Sequence, residues 1–386
     1  KCYRRFKRTK ICFKNFKLNK KMIPQFDLKK EYDFLENEIQ HELKNVFSKT
    51  HFIGGENVVS IEKNIAKYIG VKYAVSCNSG TDALHFSLKS FGIGKGDEVI
   101  TTPFTFISTI EAIMYLGAKP VFADIELKSY NIDKNEILKK INKNTKAIIP
   151  VHLFGNPFDV ESLKKEINDS SIKIIEDCAQ SFGSGINCKR VGSIGDIGCF
   201  SFYPTKNLGC YGDGGMITTN SEESHDIIKK LKNHGSSIRY HHDIIGFNSR
   251  LDEIQAAVLN IKLKYIDQFN MMRIKIAEFY NSNLSNIEHI VTPKKNNCSH
   301  HVYHQYTISS CIRDKIMNEL NKHSIGSSIY YPVSLEKQKA FKDIYYDNDH
   351  YENSNYLSNS CLSLPMYPHL TEDDTQKICK VIHNIK

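Results

Sequence analysis

Apolar residues recur at steps of three and four between Lys29 and Phe47, at Tyr32, Leu35, Ile39, Leu43 and Phe47, the spacing of one face of an amphipathic helix. Beyond it, short apolar runs alternate with helical stretches, and Tyr73–Cys77, Glu98–Thr101, Lys119–Ala123, Ala147–Val151 and Ile172–Glu176 each read as a strand. Strands that alternate with helices predict an α/β domain on a largely parallel sheet. The rhythm changes at Cys199–Phe202 and Met216–Thr219, where a glycine-rich loop replaces the helical spacer, so these two strands are expected to pair differently. From Leu251 to about Leu284 the pattern turns helical, with Ile254, Ala257, Val258, Ile261, Leu263 and Tyr265 apolar. One long helix linking two domains fits that stretch. A Lys/Asn-rich segment, Pro293 to Asn297, then leads into shorter pieces that run to Lys386. The expected organisation is a large domain over 22–267 and a smaller C-terminal α/β domain over 268–386.

Charge alters this picture only at the amino end. The formal net charge is +9, but residues 1–21 hold ten Lys/Arg and no Asp/Glu, and the remainder carries a net charge of −1. Its body is thus unlike a nucleic-acid-binding fold with a basic face. The tail lacks the Ser and Ala of a transit peptide. It is expected to be a non-native or disordered extension before Met22, with a membrane- or phosphate-binding arm as the other reading. No run of 18 apolar residues exists to span a bilayer. Eleven Cys are scattered without a C-x-x-C pair, which predicts reduced thiols in a cytoplasmic protein. Sixteen His are equally scattered, and the adjacent His241 and His242 lack the helical spacing of a metal pair. No metal site is expected.

Three stretches carry candidate chemistry. Cys77-Asn78-Ser79-Gly80-Thr81-Asp82 follows a strand and opens a helix, where backbone N–H groups and the helix dipole favour an anion such as phosphate. The same residue types are ordinary helix caps. Ile174-Ile175-Glu176-Asp177-Cys178-Ala179-Gln180 ends an apolar strand in a carboxylate. Ligands of open α/β sheets bind at that end, although Asp177 also suits the cap of a following helix. In the third stretch Lys206 sits between an apolar strand and a loop holding Gly209, Gly212, Gly214 and Gly215. Glycines so dense imply close backbone approach, and a lysine desolvated there becomes a neutral nucleophile.

The ordered set NSGTDAL, PFTFIST, IEDCAQ, SFYPTK and GDGG resembles the DegT/DnrJ/EryC1/StrS family of pyridoxal-phosphate-dependent nucleotide-sugar aminotransferases, from about Met22 to the C-terminus. The resemblance implies the aspartate aminotransferase-like fold (fold type I) and a homodimer. It implies that Lys206 binds the cofactor covalently, that Asp177 pairs with its pyridine nitrogen and that Gln180 lies near its ring hydroxyl. Gly80, Thr81 and Ser201 match the phosphate cradle, and Phe106 the aromatic that stacks on the ring. Asn248 matches a residue that reaches the cofactor phosphate of the other subunit. Members with His in place of this lysine are sugar dehydratases, so Lys206 implies transamination, with glutamate as the expected donor.

For the acceptor, LGCYGDGG, the stretch from His234 to His242, NSRLDEIQAA and VYHQYT are most similar to the branch acting on a UDP-linked 2-acetamido-3-keto-glucuronic acid. Arg250, His234, Tyr330 and Tyr331 are its expected sugar contacts. That branch has His-Tyr-Pro where this chain reads Tyr330-Tyr331-Pro332, which removes an imidazole from the pocket. The competing functions are a 3- or 4-aminotransferase for dTDP-linked 6-deoxy sugars and a cofactor-binding regulator without turnover. A dinucleotide oxidoreductase is disfavoured because no G-x-G-x-x-G follows the first strands.

Overall fold

The computed structural model describes residues 22–167, 169–295, 298–341 and 350–385. The basic extension 1–21 lies outside the described residues. Helix α1 (Leu28–Lys49) begins where the Asp27 carboxylate accepts from the N–H groups of Lys29 and Lys30. The predicted stripe buries Leu35 and Ile39 against Val258, Ile261 and Phe269, with Tyr32 and Leu43 half-buried beside them. Phe47 departs from the stripe and is exposed against Phe52. Helix α2 (Glu56–Ile69) leads into the sheet.

Seven strands form that sheet: β1 (Tyr73–Cys77), β2 (Glu98–Thr101), β3 (Lys119–Phe122), β4 (Thr145–Ile148), β5 (Lys173–Asp177), β6 (Ile197–Ser201) and β7 (Gly215–Thr219), in the order β1-β7-β6-β5-β4-β2-β3. Only β7 runs against its neighbours, antiparallel to both β1 and β6. This is the different pairing that the missing helical spacer predicted. The strands are almost wholly buried because helices cover both faces, as in parallel sheets generally. Helix α3 (Gly80–Ser90) packs Leu84 and Leu88 on one face, while Ile61 and Ile65 of α2 cover the other. Reversal of β7 has a direct consequence for chemistry. Its first residue, Gly215, stands opposite Cys77 and Ser201, so the carboxyl ends of β1, β5 and β6 and the glycine loop share one edge.

Helix α4 (Ser108–Met114) follows β2. The long helix expected over 251–284 is two helices, α5 (Glu253–Leu263) and α6 (Ile266–Leu284). The break at Lys264 and Tyr265 contains no Gly or Pro, so no local signal announces it. Its cause is packing: α5 lies on α1 and α2, whereas α6 carries Ile276, Ala277, Tyr280 and Leu284 into a second core. In that core strands Tyr306–Ser309 and Cys361–Leu364 pair antiparallel. Ile23 belongs to it, tied by hydrogen bonds to Ser324 and Gly326 at 2.9 and 2.8 Å. Further along, the chain returns to the loops that follow β2 and β3. Leu335 N–H donates to the Pro103 carbonyl at 2.9 Å, and the Asp124 carboxylate accepts from the N–H groups of Asn353 and Ser354 at 2.9 and 3.0 Å. Among the described residues no helix is long and apolar enough to cross a membrane.

Candidate active site

Asp177 ends β5 and is 4 % exposed. Its Oδ1 accepts from the Ala179 N–H at 3.1 Å and its Oδ2 from the Thr109 hydroxyl at 2.9 Å. No helix follows, only a turn, so the helix-cap reading of this residue does not hold. Burial pushes its carboxyl up from the ordinary value, and the two hydrogen bonds and the Lys206 cation work against that push. Lys206 sits in the loop between β6 and β7, where its own N–H donates to the Tyr203 carbonyl at 2.9 Å. Its amine makes no hydrogen bond among the described residues. Burial lowers the Lys206 pKa to about 8, opposed by the charge of Asp177, so the amine is neutral near pH 7 far more often than an ordinary lysine.

The amino terminus of α3 forms the next wall. Ser79 caps it, its hydroxyl accepting from Asp82 N–H at 3.0 Å. A Cβ on Gly80 would lie 2.8 Å from the Ser201 Cβ, and one on Gly215 would collide with the Ser79 carbonyl. These glycines let three chain segments meet without side chains between them. The Thr81 hydroxyl donates to Ser108 Oγ at 2.9 Å, joining the starts of α3 and α4. Ser249 braces the same turn: its hydroxyl accepts from Asn78 N–H at 3.0 Å and donates to Asp82 at 2.7 Å.

Gln180 is oriented from both ends. Its Oε1 accepts from Phe154 N–H at 2.8 Å and its Nε2 donates to the Tyr331 hydroxyl oxygen at 2.9 Å. Phe106 is 56 % exposed, which rules out an ordinary core aromatic, and its ring lies 6.3 Å from that of Tyr331. Gly80, Thr81, Phe106, Asp177, Gln180, Ser201, Lys206, Tyr330 and Tyr331 all line one cavity of about 640 Å³.

Three expected residues stand outside this cavity. Asn248 is exposed and pairs by its backbone with Asn233. Arg250 donates to Asn233 Oδ1 at 3.2 Å. The exposed His234 has a left-handed backbone (φ 58), and its carbonyl faces His242 Nδ1 at 2.8 Å. Sequence reading also passed over Thr109, Ser108, Tyr203, Asp213, His304 and Gln305, which line the cavity. Thr109 is within PFTFIST and His304 within VYHQYT, so the signal was present in the quoted motifs but not residue by residue.

Donor atoms of His152, Glu176 and Cys178 lie within 4.8 Å of one another behind the site. Their chemistry is already committed. His152 Nδ1 accepts from Phe158 N–H at 2.9 Å, so its Nε2 donates to Glu176, 3.0 Å away. The other Glu176 oxygen accepts from the N–H groups of Ile194 and Gly195 at 2.8 and 2.7 Å. This buried set fixes the strand that carries Asp177; it does not offer lone pairs to an ion. All nine described cysteines are free, six of them buried.

A lone basic amine, a buried carboxylate and a glycine-lined helix start meet on one cavity, which fits pyridoxal phosphate: an aldehyde for the amine, a ring nitrogen for the carboxylate and a phosphate for the N–H groups. The chain is 41% identical over 93% of its length to a UDP-N-acetyl-3-dehydro-alpha-D-glucosamine 3-aminotransferase of Acidithiobacillus ferrooxidans, covering 97% of that protein. It is 38% identical over 94% of its length to a UDP-2-acetamido-2-deoxy-3-oxo-D-glucuronate aminotransferase of Pseudomonas aeruginosa, covering all of it. A pleiotropic regulatory protein of Geobacillus stearothermophilus is similar at 40%, with 93% and 97% covered. Among solved structures, an aminotransferase from Brucella abortus superposes with a TM-score of 0.90 at 36% identity, over 94% of this chain and 98% of that one. A Bacillus subtilis protein with bound cofactor PMP gives 0.89 at 28%, over 95% and 86%. Residues 33–383 match the sequence pattern of one family: the chain belongs to the DegT/DnrJ/EryC1/StrS aminotransferase family and is a pyridoxal-phosphate-dependent aminotransferase.

Proposed function

We propose that this enzyme moves an amino group from glutamate to C3 of a UDP-linked 2-acetamido-3-keto-hexuronic acid, as a homodimer in the cytoplasm. The observation that carries an aminotransferase reaction is the placement of Lys206 and Asp177 on one cavity with the Gly80–Thr81 helix start. Bound pyridoxal phosphate supplies the electron sink that lets a Cα–H bond of the donor break. Gly80, Thr81 and Ser201 would hold its phosphate, and Asp177 its ring nitrogen. As an anion Asp177 keeps a proton on that nitrogen, and Thr109 fixes the carboxylate that does so. The Lys206 amine, near neutrality in part uncharged, takes the proton from the substrate carbon and returns it on the other side of the reaction. Gln180, locked by Phe154 and Tyr331, sets one edge of the site, and Phe106 covers a face.

The sugar assignment rests on the relatives' chemistry and on Arg250, and is tested by comparing kcat/KM for the uronate with its C6-alcohol counterpart. A uronate pocket needs a fixed cation, and Arg suits a carboxylate. Arg250 and Asn248 share one exposed loop, from which they would reach the neighbouring subunit's site. The expected result is a preference for the uronate that Arg250→Ala reduces by about 10-fold, with little change for the alcohol. Preference for the alcohol in wild type sinks the uronate reading. A second reading, the neutral sugar, is favoured by one feature: no Arg lines the cavity among the described residues.

The same loop supports the homodimer. In the stretch that leads to Asn248, Tyr240 and Ile245 are 79 % and 88 % exposed, and Ile238 and Phe247 are exposed too, apolar side chains of the kind an interface covers. The expected assembly buries more than about 2,000 Å². Sedimentation should therefore give a dimer at all working concentrations, and Ile245→Asp should shift it toward monomer with loss of turnover. Monomeric wild type with full activity would refute the shared-site arrangement.

A further inference from the structure

Hydrogen bonds around His304 settle which of its ring nitrogens carries the proton. Asn270 Nδ2 donates to the Phe182 carbonyl at 3.1 Å, which turns Asn270 Oδ1 toward Asn207. Asn207 Nδ2 donates to that oxygen at 2.7 Å and to the Val302 carbonyl at 3.2 Å. Two backbone carbonyls, which only accept, thereby orient both amides. Asn207 Oδ1 is left facing His304 Nδ1 at 3.1 Å. An amide oxygen accepts, so Nδ1 holds the hydrogen.

The ring is buried, and burial together with the Lys206 and Arg273 cations holds it well below the ordinary imidazole value, hence neutral. Its Nε2 then carries a lone pair. No hydrogen bond reaches that nitrogen from the described residues. The ring lines the cavity beside Lys206, Gln305 and Phe26, the last stacked at 6.5 Å between centroids and 24° between planes. That nitrogen is open to the cavity, so its donor comes from whatever occupies that space, solvent in the free enzyme and a bound ligand in the complex.

We propose that His304 is a specificity residue whose Nε2 accepts a hydrogen bond from a hydroxyl or amide N–H of the bound nucleotide sugar, and so rejects a group presenting only lone pairs at that place. The assignment rests on the nucleotide-sugar reading of the site. Because Asn207 follows Lys206 directly in the chain, the same relay also couples the sugar contact to the segment that carries the reacting amine.

The test uses cofactor-loaded protein labelled with 15N at histidine, the His304 signals being assigned by their absence in His304→Gln. The expected spectrum at pH 7 is a neutral imidazole protonated at Nδ1, whose Nε2 resonance moves on addition of UDP-N-acetylglucosamine and stays put with UDP alone. In parallel calorimetry His304→Phe should weaken binding of UDP-N-acetylglucosamine about 5- to 30-fold, the range of one buried hydrogen bond, and leave UDP binding unchanged. His304→Gln, which retains an acceptor, should recover part of the loss. A proton on Nε2, an Nε2 resonance unmoved while the sugar nucleotide is bound, or equal losses for UDP and its sugar each overturn the proposal. Failure of wild type to bind UDP-N-acetylglucosamine more tightly than UDP overturns the nucleotide-sugar reading itself, and this role with it.

Discussion

Replacing Lys206 with Ala is expected to lower kcat by at least about 10³-fold, the contribution of a positioned proton-transfer group that no neighbour replaces. The fold should survive. Lys206 makes no side-chain hydrogen bond among the described residues, and burying its charge costs stability, so thermal unfolding of the variant should occur at or above the wild-type temperature. The purified wild-type enzyme is expected to absorb visible light through its bound cofactor, and borohydride should fix that cofactor on one peptide, the one containing Lys206. Labelling of a different lysine, or none in fully loaded protein, would remove this residue from the reaction. Substantial turnover by Lys206→Ala would do the same by a separate route.

The second large effect belongs to Asp177. An Asn in its place keeps the shape: its one amide oxygen can accept from the Ala179 N–H, and its NH2 then donates to the Thr109 hydroxyl, which turns to accept. What is lost is the negative charge that would keep a proton on the cofactor's ring nitrogen. A loss of about 10² to 10³-fold in kcat is expected, the scale of one preorganised electrostatic contact, with the cofactor still bound at its phosphate. Thr109→Val should act in the same direction but far more weakly, because it removes one of several influences on that carboxylate. An Asp177→Asn enzyme with near-normal kcat would show that the carboxylate is there for packing alone.

Much of this was legible in the chain. Each strand of the main sheet coincides with an apolar run, displaced by no more than a few residues, because strands buried on both faces have little choice but to be apolar. The reversed strand was foreseeable from the missing helical spacer. Lys206 and Asp177 stood out because glycines and strand ends surround them. Harder to see were groups defined by distant partners: Thr109 meets Asp177 across 68 positions and Asn207 meets His304 across 97. Nothing near either residue in sequence signals that meeting. The break between α5 and α6 was invisible for a related reason, since two cores divide the stretch and no breaker residue does. Asn248, Arg250 and His234 were singled out in sequence for a site that the single chain does not bring them to.

The path of the chain between its two cores sets the mechanics of the entrance. It crosses at the segment from Ile23 to Leu28, along α6, and again where Leu335 ties to Pro103 and Asn353 and Ser354 to Asp124. Two bodies joined at one flexible point swing like a gate. Bodies pinned at several separated points, one of them a continuous helix, resist rotation about every axis. The crossings furnish part of the cavity wall, Phe26 from the amino-terminal segment and Tyr330 and Tyr331 from the returning one. A bulkier sugar is therefore expected to need a change at those aromatic residues, since the pinned chain resists a wider separation of the two cores.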